Sequence, residues 1–225
     1  MQFLCLGVCC GALIICATAD PGIVRSRPNV DLVPDDFRSE FIEEEVNGVR
    51  MKRKWCQTCR HYRPLRARHC REVDLCIHRF CHFCPWTNNA IGSRNNRSFL
   101  VFVMATCALC WSICWGVLRV AWLENKTADV EGFLFQLFTQ LHRYILLVLG
   151  VTVGAALTHL GISHLQLVLC NMTAAEQVKK DFEHGNPYSS TRLENLKSFW
   201  LHPRPDSVLQ VTGQGVIELG ARSSD

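Results

Sequence analysis

Charge is scarce in this chain of 225 residues: Asp, Glu, Lys and Arg make up 20% of it, against 48% for the apolar types. A disordered protein needs the opposite balance, so that class is excluded. Low-complexity bulk and internal repeats are absent too. The net charge of +4 is small, and composition gives no case for nucleic acid as a partner. No Lys or Arg precedes the first apolar run, so the basic leader of a secretory signal is missing, although Ala17-Thr18-Ala19 resembles a small-residue cleavage site. What the chain has in excess is cysteine, 14 in all, and that many in one chain means disulfides, metal or thiol chemistry.

Three stretches are almost free of charge. Residues 1–19 and 144–170 contain none, and residues 99–123 contain only Arg119. Each matches the roughly 20 apolar residues that cross a bilayer core, so three transmembrane helices are expected. The third carries His159, Ser163, His164 and Gln166, polar groups that lipid cannot satisfy and that should line the helix bundle. Of the 24 Lys and Arg, 15 fall in residues 20–98, two in 124–143 and six after 170. The positive-inside rule therefore predicts that residues 20–98 and the tail 171–225 are cytosolic, and that the loop 124–143 is lumenal. Asn125-Lys126-Thr127 in that loop reads as an unused glycosylation triplet. Residues 133–138 are apolar and are expected at the lumenal interface. Residues 20–50 read as a polar linker with acids at Glu40, Glu43, Glu44 and Glu45, and the chain beyond Pro203 as a disordered tail.

Eight cysteines lie in or beside the apolar runs, where thiols behave as small hydrophobes. The other six (Cys56, Cys59, Cys70, Cys76, Cys81, Cys84) fall in one polar segment, within the domain expected over residues 51–98. A cytosolic, reducing setting argues against disulfides there. Residues 56–92 read CQTCRHYRPLRARHCREVDLCIHRFCHFCPWTNNAIG. Cys56-x2-Cys59 is a zinc knuckle, and His69 and Cys76 follow at distances that complete four tetrahedral ligands. Cys81-x2-Cys84 is a second pair that could hold metal on spacing alone.

This segment resembles the cysteine-rich domain of the DHHC protein S-acyltransferases (palmitoyltransferases). The matching residues are Cys56, Cys59, Arg63-Pro64-Leu65-Arg66, His69-Cys70, Cys76, His82, Cys84-Pro85-Trp86, Asn89, Gly92, Asn95 and Phe99. Asp20-Pro21-Gly22 resembles the family's Asp-Pro-Gly motif. Thr173-Ala174-Ala175-Glu176 resembles its Thr-Thr-x-Glu motif, and Asn186 through Trp200 its tail motif. The resemblance implies an α-helical integral membrane protein, multi-pass and of Golgi or endoplasmic reticulum membranes, with a cytosolic zinc-binding cysteine-rich domain. The family norm is four spans, so the chain resembles a member without its first. The Asp-Pro-Gly-Ile form is similar to the ankyrin-repeat branch, without the repeats.

The resemblance also implies the chemistry. Cys84 would be the nucleophile that takes the acyl group from palmitoyl-CoA, and His82 its base. Position 81 would be the Asp that orients the base, and here it is Cys81. A neutral thiol is a poor acceptor for a ring N–H, and loss of a triad Asp elsewhere costs about 10⁴ in turnover, so impaired activity is the default expectation. The first zinc would take Cys56, Cys59, His69 and Cys76. The second would take positions 70, 73, 83 and 90, which here are Cys70, Val73, Phe83 and Ala90, so one zinc is expected, with the three replacements packing apolar or Cys70, Cys81 and His78 sharing a metal. Arg94 and Arg97 are candidates for the CoA phosphates, with Arg66, Arg68 and Arg79 as further members of a cationic rim. Partners would be long-chain acyl-CoA, the membrane, and cytosolic or membrane proteins with cysteines beside the bilayer. Two functions stand side by side: a protein S-acyltransferase working through Cys84 and His82, and a pseudoenzyme that binds active relatives at the membrane. A secreted cysteine-rich protein, cleaved after residue 19, is excluded by the two later spans.

Overall fold

Long apolar runs without proline become helices. The computed structural model describes residues 2–24, 39–124, 133–183, 185–205, 207, 209–211 and 217–219; positions 124, 133–137, 139, 209–211 and 217–219 are described by backbone alone. Two compact units emerge, one of residues 1–13 with 99–165 and one of residues 14–98 with 166–225.

The first unit is helical. Helix α1 is Gln2–Thr18, α2 is Asn96–Glu124 and α3 is Phe133–Leu169. The stretches Asn96–Leu123 and Gln140–Leu169 have mean hydropathies of 2.0 and 2.1 and are long enough to cross a membrane. Helix α1, with 17 residues, rises about 26 Å, a little short of the roughly 30 Å core. The segment read as a loop over 124–143 is helical from Phe133 onward, where residues 133–143 hold no Pro or Gly to stop a helix. The Asn125 triplet lies outside the described residues.

Helices α2 and α3 approach along small residues. A Cβ on Gly150 would stand 2.6 Å from Cys114 Sγ, and one on Gly161 3.0 Å from Met104 Sδ. Between them Thr158 Oγ1 accepts from Trp111 Nε1 at 3.1 Å. Close backbone approach and hydroxyl bonds are how helices associate where water does not drive them. Trp115, Trp122, Tyr144 and Val148 are left exposed, the apolar exterior that lipid tolerates and water does not. His164 is buried with its ring edge-on to Phe99, centroids 5.1 Å apart. His159, expected in the bundle interior with it, is exposed.

The second unit is a set of short hairpins. Strands β1 (Phe41–Val46) and β2 (Val49–Cys56) pair antiparallel, and β3 (His61–Tyr62) pairs with β2. The linker read over residues 20–50 thus ends in a strand. Its acids stand opposite bases, Glu43 against Lys52 and Glu45 against Arg50, which is the favourable cross-strand arrangement. The turn is Asn47-Gly48, both with positive φ (48° and 79°), the signature of a two-residue type I′ hairpin.

Two further hairpins share one design. Strands β4 (Arg68–Cys70) and β5 (Leu75–Ile77) are joined by four residues ending in Asp74 at φ 53°. Strands β6 (His82–Cys84) and β7 (Asn89–Ile91) are joined by four ending in Asn88 at φ 47°. Asp and Asn are the non-glycine residues that accept this left-handed geometry most readily. The Asp-Pro-Gly segment adds to β5: His78 N donates to Gly22 O at 2.7 Å and Val24 N to Cys76 O at 2.8 Å. Gly22 has φ +105°, and a Cβ on Gly92 would sit 2.3 Å from Pro21 O, so both glycines are required by close backbone approach.

Helix α3 ends in a Schellman turn, with Asn171 at φ 48°, Met172 N on Leu167 O and Asn171 N on Val168 O. Helix α4 (Ala174–Val178) then starts with a complete capping box between Thr173 and Glu176, and α5 (Arg192–Leu201) with one between Thr191 and Glu194. Asn195 is buried and donates to Leu169 O at 2.8 Å, which ties α5 to the end of α3. The tail read as disordered contains a small hairpin, β8 (Leu209–Val211) against β9 (Ile217–Leu219).

Candidate active site and metal cluster

The first of the two matched hairpins, β4–β5, carries a ligand cluster together with the knuckle that follows β2. Cys56 and Cys59 sit on a knuckle closed by the Arg60 N–H on Cys56 O at 2.8 Å, and Arg60 takes φ 52° to allow it. His69 and Cys76 are direct partners across β4 and β5. The four side chains gather with their ligand atoms all within 4.8 Å of one another. His69 Nδ1 lies 3.6, 3.4 and 4.0 Å from the sulfurs of Cys56, Cys59 and Cys76. Zinc bonds of about 2.3 Å to sulfur and about 2.0–2.1 Å to nitrogen, at a tetrahedral angle, separate S from N by about 3.6 Å. His69 Nε2 faces Asp74 Oδ1 at 3.3 Å, the outer carboxylate that orients a metal-bound imidazole. Burial lifts the Cys59 and Cys76 thiols; at Cys56 burial is outweighed by the Cys59 amide, the Cys76 and Cys59 thiols and the Arg63 charge taken together, and the thiol is lowered. The donor set fits zinc. Asp74 carried no sequence signal beyond its place in the turn.

The second hairpin repeats the geometry with other residues. Phe83 and Ala90 are direct partners across β6 and β7, the places that His69 and Cys76 hold in the first hairpin. Cys70, Ile77 and Ala90 form a buried cluster, with Val73, Leu75, Phe80, Phe83 and Ile23 packed on it. All four positions of the expected second ligand set therefore lie in one apolar core. Among the described residues, Cys70, Cys81 and His78 form no metal-binding group.

His82 and Cys84 project from the same side of β6, since alternate residues of a strand share a face. Cys84 is 4% exposed, and its carbonyl accepts from Thr87 Oγ1 at 3.3 Å. Cys81 Sγ lies 3.4 Å from His82 Nδ1. Burial pushes the Cys81 thiol up to about 11; the backbone amide of Ala174 works against that, and the Glu176 carboxylate adds to it. At neutral pH the partner of His82 at this position is thus a protonated thiol, with no charge to hold the ring or favour imidazolium.

The surrounding frame explains two flanking motifs. Arg66 grips Glu176 with a two-pronged pair, Nε to Oε1 at 2.7 Å and Nη2 to Oε2 at 2.8 Å, and also reaches Asn171 O at 2.8 Å. Both partners are buried. The Tyr188 ring covers the guanidinium at 4.7 Å. Glu176 caps α4, so this pair fixes the turn whose Ala174 amide meets Cys81. Arg66 and Arg68, read from sequence as a cationic rim, are instead taken up by Glu176 and Asp181. Arg94 faces Asp20 at 3.7 Å and donates to Pro205 O. Arg97 lines a pocket with Arg79 and Arg204. Trp86, read as an interfacial anchor, is 85% exposed.

The family described as DHHC palmitoyltransferase matches residues 49–181. Palmitoyltransferase ZDHHC5 of Homo sapiens is 33% identical over 180 residues, covering 79% of this chain and 24% of the relative. The chain belongs to the DHHC palmitoyltransferase family. Palmitoyltransferase ZDHHC5-A of Danio rerio is 34% identical over 181 residues, covering 79% and 23%. The protein of Mus musculus gives the same 33% as the human one. The chain spans about a quarter of the length of these curated relatives. DHHC domains bind zinc, and the Cys56, Cys59, His69, Cys76 cluster is compatible with it.

Proposed function

We propose that this protein is a protein S-acyltransferase, slowed by Cys81, that moves a palmitoyl group from palmitoyl-CoA to cysteines beside the membrane through a thioester on Cys84. The reading rests on one observation above all: His82 and Cys84 share a face of a strand held in register by an intact apolar core. His82 takes the Cys84 proton, and the sulfur attacks the thioester carbonyl. The CoA thiol leaves with that proton. A substrate cysteine then attacks the new thioester and regenerates the Cys84 thiol. Cys56, Cys59, His69 and Cys76 would hold a zinc whose role is structural, tying the Cys56–Cys59 knuckle to the β4–β5 hairpin.

In this reading Arg97, on a pocket wall, serves the CoA phosphates, and Arg94 joins it only by giving up its contacts to Asp20 and Pro205 O. Three spans, the first of them α1, hold the cysteine-rich unit on the cytosolic face of Golgi or endoplasmic reticulum membranes; the basic residues of 20–98 support that orientation. Protein substrates would carry their cysteines close to the bilayer. The test is transfer itself: purified protein in nanodiscs, palmitoyl-CoA and a membrane-anchored cysteine peptide. Peptide thioester should form with wild type and vanish with both Cys84→Ala and His82→Ala. Formation that survives either substitution contradicts the reading.

A second reading is favoured by the neutral thiol at position 81. In it the fold is retained as a pseudoenzyme that binds active relatives. Wild-type protein that neither acylates itself nor transfers, yet co-purifies with an active family member, would establish that reading instead.

A further inference from the structure

Beside the Asp-Pro-Gly segment, the first turn of α2, the end of α5 and the extended residues after it enclose a pocket of about 480 Å³, within the roughly 300–1,000 Å³ range of small-molecule sites. Its walls include Arg79, Arg97 and Arg204, and no lining residue is acidic. Among the described residues no carboxylate stands at ion-pair distance from any of the three. Arg79 donates to the neutral Asn171 Oδ1 at 2.7 Å and Arg97 to His202 O, while nearby Glu176 is taken by Arg66. Burial and the neighbouring Arg66 pull Arg79 down to about 10, the response of a cation short of counter-charge. Two buried polar atoms on the same wall, His78 Nδ1 and Ser93 Oγ, have no hydrogen-bond partner. Helix α2, 29 residues long with no acid in its first turn, adds its positive end through Asn96.

Arg204 belongs to the tail, beyond the matched residues 49–181. The tail is fastened on both sides of it: Arg97 donates to His202 O before it, and after it Arg94 donates to Pro205 O and Ser207 Oγ to Asp20 Oδ2 at 2.7 Å. We propose that this pocket is a phosphate site, and that the tail completes it by contributing Arg204 as its third guanidinium. The ligand carries phosphate esters in either of two forms, the phosphates of CoA or an inositol phosphate headgroup at the membrane face. The CoA form rests on the acyltransferase reading; the headgroup form does not.

Equilibrium binding to the full chain in phosphatidylcholine nanodiscs separates the possibilities, with CoA and inositol 1,4-bisphosphate as probes. Arg204 is exposed, so its substitution leaves zinc content and the unfolding transition unchanged. Arg204→Glu should weaken at least one probe by about tenfold or more, and Arg204→Lys by much less, since the charge persists. Affinity should also fall as salt rises. Loss confined to CoA identifies the acyl donor as the source; loss confined to the inositol phosphate identifies a lipid headgroup. Unchanged binding of both probes in Arg204→Glu overturns the proposal. Palmitoyl-pantetheine, which has no nucleotide phosphates, should acylate wild type and Arg204→Glu equally. Absence of any Cys84 label in wild type counts against the acyltransferase reading and leaves the binding result standing.

Discussion

Replacing Cys81 by Asp changes one atom cluster at the place where the chemistry is weakest. The Cys81 sulfur is 3.4 Å from His82 Nδ1, near the Ala174 amide, and 4% exposed. A carboxylate there would accept from both N–H groups and supply the charge that steadies an imidazolium. Removal of a triad Asp elsewhere costs about 10⁴. Burial and the Glu176 carboxylate oppose ionisation at this site, so the recovery should be smaller, about 10²–10³ in the Cys84 acylation rate, or about 3–4 kcal/mol of barrier. Cys81→Asn accepts the same hydrogen bonds without charge and should recover little. The assay is a single-turnover measurement with palmitoyl-CoA, with circular dichroism and zinc content as controls for folding. Folded, zinc-loaded Cys81→Asp that acylates no faster than wild type would show that the missing carboxylate does not limit the rate.

Metal content follows from the apolar core in the second hairpin: mass spectrometry of the purified protein should give one zinc per chain, and two would contradict the packing of Val73, Phe83 and Ala90. Glu176→Ala leaves the buried Arg66 guanidinium uncompensated and should cost about 3–5 kcal/mol in urea unfolding; Arg66→Met with Glu176→Leu should recover much of that, and equal losses in single and double variants would count against the pair. Burial lifts Cys81 from 9.0 to about 11, so the fold holds it protonated. Its contribution to stability is whole below pH 9 and is lost as pH climbs through 11. Cys81→Ala should therefore lose less stability than wild type over that range, by up to about 2–3 kcal/mol, and parallel losses in urea titrations would remove the buried thiol from the account.

Periodic and local signals carried most of the sequence reading. The apolar runs became helices, the first two close to their expected bounds and the third beginning at Phe133 rather than at residue 144, and the ligand set Cys56, Cys59, His69, Cys76 came together because its spacing is set by two tight turns. Thr173 and Glu176 were legible as a motif, yet their roles were not: one caps α4 and the other accepts Arg66 from 110 residues away, a separation no local pattern reports. The same distance misled the reading of Arg66 as part of a cationic rim for the CoA phosphates. The Asn47-Gly48 turn was a readable hairpin signal, obscured by the run of acids before it, which looks like a linker until Lys52 and Arg50 are seen opposite. The pocket formed with Arg204 could not be read at all, since its walls come from three separated segments.

In the proposed mechanism Cys84 carries the acyl group. Intact-protein and peptide mass spectrometry after incubation with palmitoyl-CoA tests it most directly, with Cys10 and Cys170, both exposed, mapped as competing thiols. One palmitoyl group on Cys84, removed by hydroxylamine and missing from Cys84→Ala, is the predicted result. An unmodified Cys84, or a label spread equally over wild type and Cys84→Ala, would contradict it.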